Sequence, residues 1–292
     1  MNTFNFKENK IQTLDLNTLK TTHKENDIFG NPLKGIYHYQ IIEEIADLCE
    51  RNRLNFSIEE IFAAQNNSKQ MPGVVILPQV EEMYGENAIQ AHILRRVYTT
   101  IRIDNGENEE HTTGIAIAFH QDGVQLGFGA LVKICHNQTI LGSDRVVQNF
   151  GSRAVSNDDM FASVQNWLEN FFEYREQDER VIRQMQSMPF DRNDSFKLIG
   201  LLTSLRVAHD SRSAELRANA ESIAKNYPLN QAQISDFTER IMLKFLDNEV
   251  LTLWDIHNLA TDLYKPQLME IPNLLPQNLA LMELFNNTYL LQ

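Results

Sequence analysis

The first part of the chain carries a helical pattern, a capping pattern and a short strand pattern in turn. One apolar stripe predicts a helix over residues 36–53. A capping box that begins at Ser57 predicts a short helix over residues 58–65. The apolar run 74–77 lies between prolines and predicts a strand. The stripe of the first helix consists of Ile41, Ile45 and Leu48.

Residues 97–135 show the clearest strand pattern in the sequence. Three runs rich in β-branched and small residues cover residues 97–103, 112–119 and 124–135. A polar loop separates the first two runs, and a turn that ends at Gly123 separates the second from the third. These runs predict an antiparallel β-meander of at least three strands.

From residue 156 onward the apolar period becomes helical. Positions spaced alternately by three and four residues form a heptad seam over residues 161–185. Arg175 and Asp178 interrupt the seam. Either these two polar residues lie inside a helix–helix interface and fix the alignment of the helices, or the seam faces solvent for one turn. We favour the solvent-facing turn. We expect the seam to pack within the chain; the alternative is a homo-oligomer formed through the helix at 161–185.

Together the patterns predict an α+β fold, with an antiparallel β-meander and flanking helices followed by an all-helical C-terminal region. We divide the chain into a flexible N-terminal arm at residues 1–35, an α+β domain at 36–155 and a helical region at 156–292. The helical region is expected to pack on or beside the sheet. The arm is polar with scattered apolar residues, so it either lies loose or docks on the body or on a partner.

Composition and charge narrow the class of protein. Hydrophobic residues make up 42% of the chain and charged residues 22%, which is ordinary for a globular protein. The 26 Lys+Arg against 39 Asp+Glu give a net charge of -13, which disfavours nucleic-acid binding over the whole surface. There are two cysteines, no signal-like apolar core at the N-terminus and no apolar run of membrane length, so we expect a cytoplasmic protein without membrane association.

The usual catalytic and phosphate-binding motifs are missing from the sequence. It contains no GxxxxGK[ST], CxxC, HExxH or GxSxG pattern. His111, His120 and His136 lie on the meander or at its ends, where two of them with Asp122 could bind a metal ion. We interpret them instead as turn and solvated residues. We therefore expect no catalytic residue, no metal and no cofactor.

Two further groups of residues could carry chemistry or could serve only the structure: a Cys–His pair on a strand and three polar residues on one helix face. Cys135 and His136 are neighbours on a strand and point to opposite faces, which favours a buried cysteine beside a hydrogen-bonded histidine over a nucleophile–base pair. Asp255, Asn258 and Asp262 share one helix face and could bind a cation. We favour a solvated or hydrogen-bonded face for these three residues.

Two segments carry a resemblance to a known family. They are GFGALVKICHNQTILG at residues 127–142 and LTLWDIHNLATDLYKP at residues 251–266. Together and in this order they resemble an uncharacterised bacterial family of phage/plasmid-like proteins of unknown function, of which this chain looks like a divergent branch. The resemblance covers roughly residues 95–290 and implies a mobile-element setting without an established reaction. The motif positions are Cys135, His136, Asn137, Trp254, Asn258 and Thr261.

These observations favour a non-catalytic accessory protein of a mobile element that binds a host or element macromolecule, for example to counter a host process such as defence. A protein partner is expected, because an acidic surface suits a basic one. The alternative is a single-stranded nucleic-acid-binding protein that assists recombination or annealing, with Phe190 and Phe196 as stacking residues. A hydrolase or metal enzyme built on the meander is a third hypothesis. The possible nucleic-acid contacts are Arg192, Lys197, Arg206, Arg212 and Arg217.

Overall fold

The computed structural model describes residues 12–22, 38–63, 97–104, 111–120, 123–132, 137–139, 145–148, 157–264 and 271–290. Its central element is one antiparallel sheet in the strand order β1-β3-β4-β5-β6-β7, with β2 also paired to β4 and β8 to β6. The predicted α+β class and the antiparallel meander are confirmed. The strands are β1 Gln12–Leu14, β2 Asn55–Ile58, β3 Ile61–Ala63, β4 Val97–Asp104, β5 His111–His120, β6 Gly123–Val132, β7 Asn137–Thr139 and β8 Val146–Gln148.

Most of the helices follow the sheet along the chain. Two further short strands, β9 Pro189–Phe190 and β10 Leu251–Thr252, pair with each other among these helices. The last helix continues into a π-helical turn at Asn286–Leu290. The helices are α1 Leu16–Thr22, α2 His38–Arg51, α3 Asn157–Glu169, α4 Phe171–Ser187, α5 Arg192–His209, α6 Ala214–Glu221, α7 Gln231–Leu246, α8 Leu253–Asp262 and α9 Ile271–Phe285.

The two faces of the sheet bury different kinds of side chain. One face is lined by large apolar residues such as Ile101, Ile117 and Phe128, which form a core with α2 and α3. The other face carries small residues such as Ala116 and Ala118, and it forms the second core with the C-terminal helices. Helix α9 contacts β5, β6 and β7, and α4 contacts β6. Small side chains on this face let the helices approach the sheet closely.

The heptad seam is divided between these two cores. Val164 and Leu168 on α3 join the first core together with Phe171. Ile182 and Met185 on α4 join the second core. The backbone ladder continues across the junction of the helices, since the Asn170 amide donates to the Asn166 carbonyl at 3.3 Å. The apolar seam positions named here are therefore buried within the chain.

The predicted helix over residues 58–65 is wrong in the part that the structure describes. Residues 55–58 and 61–63 form β2 and β3, and both strands pair with β4. The Ser57 hydroxyl donates to the Glu59 carboxylate at 3.0 Å, so Ser57 does not cap a helix here. Pairing with a long central strand buries Ile61 and outweighs the local capping signal. The predicted strand at 74–77 lies outside the described residues.

The described part of the N-terminal arm is docked on the body, which is the second of the two expected arrangements. Strand β1 pairs with β3, and α1 contacts α2. Leu19 is buried in the first core, and Lys20 forms an ion pair with Glu43 of α2. One buried leucine, one ion pair and one edge pairing thus hold residues 12–22 against the body.

Candidate functional site

Helix α8 carries the second motif, and its start is set by a local capping box. The Thr252 hydroxyl accepts from the Asp255 amide at 3.2 Å, and the Asp255 carboxylate accepts from the Thr252 amide at 2.8 Å. Such reciprocal bonds satisfy two amide groups that have no partner inside the helix. Helix α8 also contacts β7, which begins at Asn137. The fold therefore brings the two motif segments together, although Cys135 and His136 lie outside the described residues.

Trp254 and Thr261 are both buried, so the motif side chains line the core side of α8. The Trp254 ring stacks in parallel on the imidazole of His257, with ring centroids 5.2 Å apart. The Thr261 hydroxyl donates to the His257 carbonyl oxygen at 3.0 Å, one helical turn earlier. Phe285 of α9 also contacts the imidazole edge-on, with a centroid distance of 6.1 Å. Aromatic packing thus holds His257 between two helices.

His257 is the residue that the sequence analysis missed. Its side chain is fully buried, and neither ring nitrogen has a hydrogen-bond partner among the described residues. Burial is the larger influence and lowers the pKa of His257 to about 4, against the opposite effect of the adjacent Asn258 side chain. The signal that could have identified it is its place three residues after Trp254 and four before Thr261, on the same apolar face.

A neutral imidazole enclosed by aromatic rings cannot reach a substrate in solution. The Asn258 side-chain oxygen is also buried and lacks a partner among the described residues. The His257 imidazole and the Asn258 side-chain oxygen are thus polar groups buried without a hydrogen-bond partner among the described residues, and burial of such groups reduces the free energy of unfolding. The arrangement supports an anchoring role for the second motif and offers no general base.

The acidic residues of α8 are engaged in hydrogen bonds. Asp255 belongs to the capping box, and the Asp262 carboxylate accepts from the Arg240 guanidinium at 2.5 Å. These contacts agree with the hydrogen-bonded interpretation for the two carboxylates, whereas the Asn258 side-chain oxygen of the same face lacks a partner among the described residues. Each carboxylate already has a partner, so the face is not arranged as a cation site.

A buried ion pair connects the sheet to α4. Arg145, just before β8, pairs with Asp178, and both side chains are buried. Arg145 also donates to the Gln177 side chain at 2.9 Å and lies 4.7 Å from the ring centroid of Tyr174. The interpretation of Asp178 as a solvent-facing break in the seam is therefore wrong. The seam breaks there because the carboxylate faces an arginine that is distant in sequence.

Two of the three histidines of the meander lie too far apart to bind one metal ion together. His111 is also buried, so its interpretation as a solvated residue is wrong. His111 and His120 are the two ends of β5, nine residues apart, which in an extended strand is about 30 Å. They cannot share one ion. Asp122 and His136 lie outside the described residues, and no cluster of three metal-ligating side chains occurs within the described ranges.

The one cysteine that the structure describes is not a reactive thiol. Cys49 is buried in the first core, and burial raises the pKa of its thiol to about 12. A thiol with so high a pKa contains little nucleophilic thiolate near neutral pH.

Most of the basic residues proposed for nucleic-acid contact have partners within the chain. Lys197 lies 3.3 Å from the Asp194 carboxylate, and Arg206 pairs with Asp210. The Arg217 guanidinium donates to the Ser211 carbonyl oxygen at 2.6 Å. The two carboxylates weaken the attraction of Lys197 and Arg206 for phosphate groups, whereas Arg217 is bonded to a neutral carbonyl and keeps its charge.

The remaining members of that set are arranged differently. The Arg192 guanidinium lies 5.7 Å from the ring centroid of Phe245, and Arg212 is exposed. Phe190 is buried in the core, so its ring is not available for stacking on a base. Phe196 is 55% exposed and is the accessible ring of the two.

Comparisons of this chain with protein-family models, with curated proteins and with solved structures find no match. Among the described residues, no helix has both the length and the apolar character needed to cross a membrane.

Proposed function

We propose that this chain is a non-catalytic binding protein that acts by docking on another protein. The observation that carries the proposal is the presence of three exposed apolar side chains within eight residues at the end of α7. Leu243 is 53% exposed, Leu246 is 70% exposed and Val250 is 89% exposed. We call these three residues the α7-end patch. Apolar side chains grouped on a surface are typical of sites where another protein binds.

The backbone holds the α7-end patch in place on both sides. The Asn248 amide donates to the Phe245 carbonyl at 3.2 Å, and the Glu249 amide donates to the Lys244 carbonyl at 3.1 Å. These are the two bonds of a Schellman motif, with Asn248 in the left-handed region at φ 57°. Directly after Val250, strand β10 pairs with β9. A surface that is ordered before binding loses less conformational entropy when a partner docks.

The charges around the α7-end patch indicate the kind of partner. Asp247 and Glu249 are exposed beside the apolar residues. The nearby cation Lys244 is engaged by Glu249 at 2.9 Å, and this contact raises the pKa of Lys244. An apolar centre with an acidic rim suits an apolar partner surface with a basic rim.

The mobile-element setting is part of the same proposal and rests on the paired motifs of the sequence. An accessory protein of a phage or plasmid would act by binding to a protein of the host or of the mobile element itself. Such an action requires a binding surface and no catalytic centre. The contact of α8 with β7 supports treating the two motifs as one structural unit that supports the helical region.

The proposal is tested by affinity purification of the tagged full chain from host cells, with mass spectrometry of the bound proteins. A stoichiometric partner should be captured by the wild type and by Val207→Asp, which alters an apolar residue that is 62% exposed on α5. Leu246→Asp and Val250→Asp should each lose it, because a charge in the centre of an apolar interface is strongly unfavourable. Equal capture by all four proteins, or no stoichiometric partner, would refute the proposal.

The nucleic-acid alternative is tested on the same preparations. Binding of a labelled single-stranded oligonucleotide at low salt should be absent if the protein-docking proposal is correct. Salt-dependent retention that falls in Arg212→Ala would favour the alternative instead.

A further inference from the structure

Helices α3 and α4 present an acidic stripe with one exposed aromatic ring at its centre. Residues 169, 172, 173 and 176 recur at helical spacing and all are exposed. They cover about two helical turns, or about 10 Å along a helix. The stripe, which we call the acidic face, consists of Glu169, Phe172, Glu173 and Glu176.

The carboxylates of the acidic face are not neutralised by cations in the part of the chain that the structure describes. Glu169 accepts from the neutral Gln165 amide at 2.8 Å, and Glu173 accepts from the neutral Gln177 amide at 3.3 Å. Ion pairs on α4 occur elsewhere, for example between Arg175 and Glu179. The charge of the acidic face is therefore available to a partner.

Phe172 is the aromatic anchor of the acidic face. Its side chain is 69% exposed, and its ring meets Phe171 edge-to-face with a centroid distance of 5.4 Å. Phe171 is fully buried in the first core, so this contact fixes Phe172 against a rigid support. A pre-positioned exposed ring surrounded by charge has the form of an interface anchor, which fills an apolar pocket on its partner.

We infer that the acidic face binds a protein surface or peptide segment that is rich in Lys and Arg and contains an apolar pocket or side chain to receive Phe172. Charge complementarity selects this partner class. Nucleic-acid phosphates and anionic lipid headgroups would be repelled by three carboxylates and by the net charge of -13. The acidic face lies on other helices than the α7-end patch, and the inference does not depend on the proposed function.

The test measures binding of a fluorescein-labelled peptide of alternating Lys and Leu residues to the full-length protein by anisotropy. Wild type should bind it with an affinity that falls as salt increases. Phe172→Ala should weaken binding by about tenfold or more, because the anchor ring is lost. The triple variant Glu169→Gln, Glu173→Gln, Glu176→Gln should weaken binding similarly and reduce its salt dependence. Far-UV circular dichroism checks that each variant is folded.

Matched controls separate this surface from general attraction of a cation to an acidic protein. Phe196→Ala removes another exposed phenylalanine, and Glu215→Gln removes an exposed acid on α6. Both variants should bind the peptide with an affinity within about twofold of wild type, because residues distant from the acidic face are not expected to affect binding there. If wild type does not bind the peptide, or if Phe172→Ala binds as wild type does, the inference is wrong. Loss of binding in Leu246→Asp with full binding in Phe172→Ala would likewise overturn it and would support the α7-end patch alone.

Discussion

Replacement of the buried His257 by leucine should remove one component of the acid sensitivity of this protein. The folded-state pKa is about 4, whereas the ordinary value in an unfolded chain is 6.5. Between these values the unfolded chain binds a proton that the folded chain does not bind. Acid therefore favours unfolding. The contribution of the neutral His257 to the free energy of unfolding is complete above pH 6.5 and is lost as the pH falls through the folded-state pKa.

The magnitude follows from the separation of the two pKa values. Each pH unit changes the free energy of unfolding by about 1.4 kcal/mol in this window, so wild type should lose about 3 kcal/mol through His257 between pH 7 and pH 4. The leucine variant lacks this loss. At pH 7 the free energy of unfolding of the leucine variant should lie within about 1 kcal/mol of wild type. The variant no longer buries two ring nitrogens without hydrogen bonds, and this gain offsets the lost stacking on Trp254.

The assay is urea unfolding followed by far-UV circular dichroism at several pH values. Ile256→Val is the matched control, because it alters a fully buried apolar neighbour on the same helix and no titratable group. It should lower stability by about 1 kcal/mol at every pH and leave the slope unchanged. The reasoning is refuted if the pH profiles of wild type and the leucine variant run parallel.

Three further predictions concern the fold. Gly114→Ala should destabilise the protein by about 1–3 kcal/mol in thermal unfolding, since the added carbon would lie 2.5 Å from a carbonyl oxygen of β4. Gly200→Ala has open space around the added carbon and should stabilise the protein by about 1 kcal/mol. A loss of stability in both variants would contradict this. Arg53→Gly should raise the urea midpoint by an amount equivalent to roughly 1 kcal/mol, because Arg53 lies just beyond the end of α2 at φ 58°, where glycine is favoured. An unchanged midpoint would show that no strain is present. Asp178→Asn should cost roughly 3 kcal/mol by leaving a buried arginine without its counter-charge, and adding Arg145→Met should recover much of this loss; additive losses in the double variant would argue against the pair.

The parts of the fold that were predicted correctly have local signals. The three meander strands show β-rich runs separated by turn residues, and α8 starts at a local cap, Thr252. Helices α5 and α7 likewise begin at local caps, Asp191 and Asn230, whose side chains accept from the backbone amide three residues later.

The parts that were predicted wrongly depend on distant residues. Residues 55–63 have a capping pattern, yet their pairing with β4, some 40 residues later, decides their conformation. Asp178 reads as a break in an apolar seam until Arg145, 33 residues earlier, is seen beside it. His257 reads as an ordinary polar residue until the packing of Phe285 shows that it is enclosed.

The sequence by itself determined the acidic balance, the three strands of the meander and the change to a helical period near residue 156, because such patterns depend on residues within about one turn of each other. The tertiary structure decided which faces are buried, which charges are paired and which apolar side chains remain on the surface. These properties depend on which distant elements meet, since burial and ion pairing are set by contacts across the sheet and between helices. Both proposed binding surfaces, the α7-end patch and the acidic face, belong to this second class.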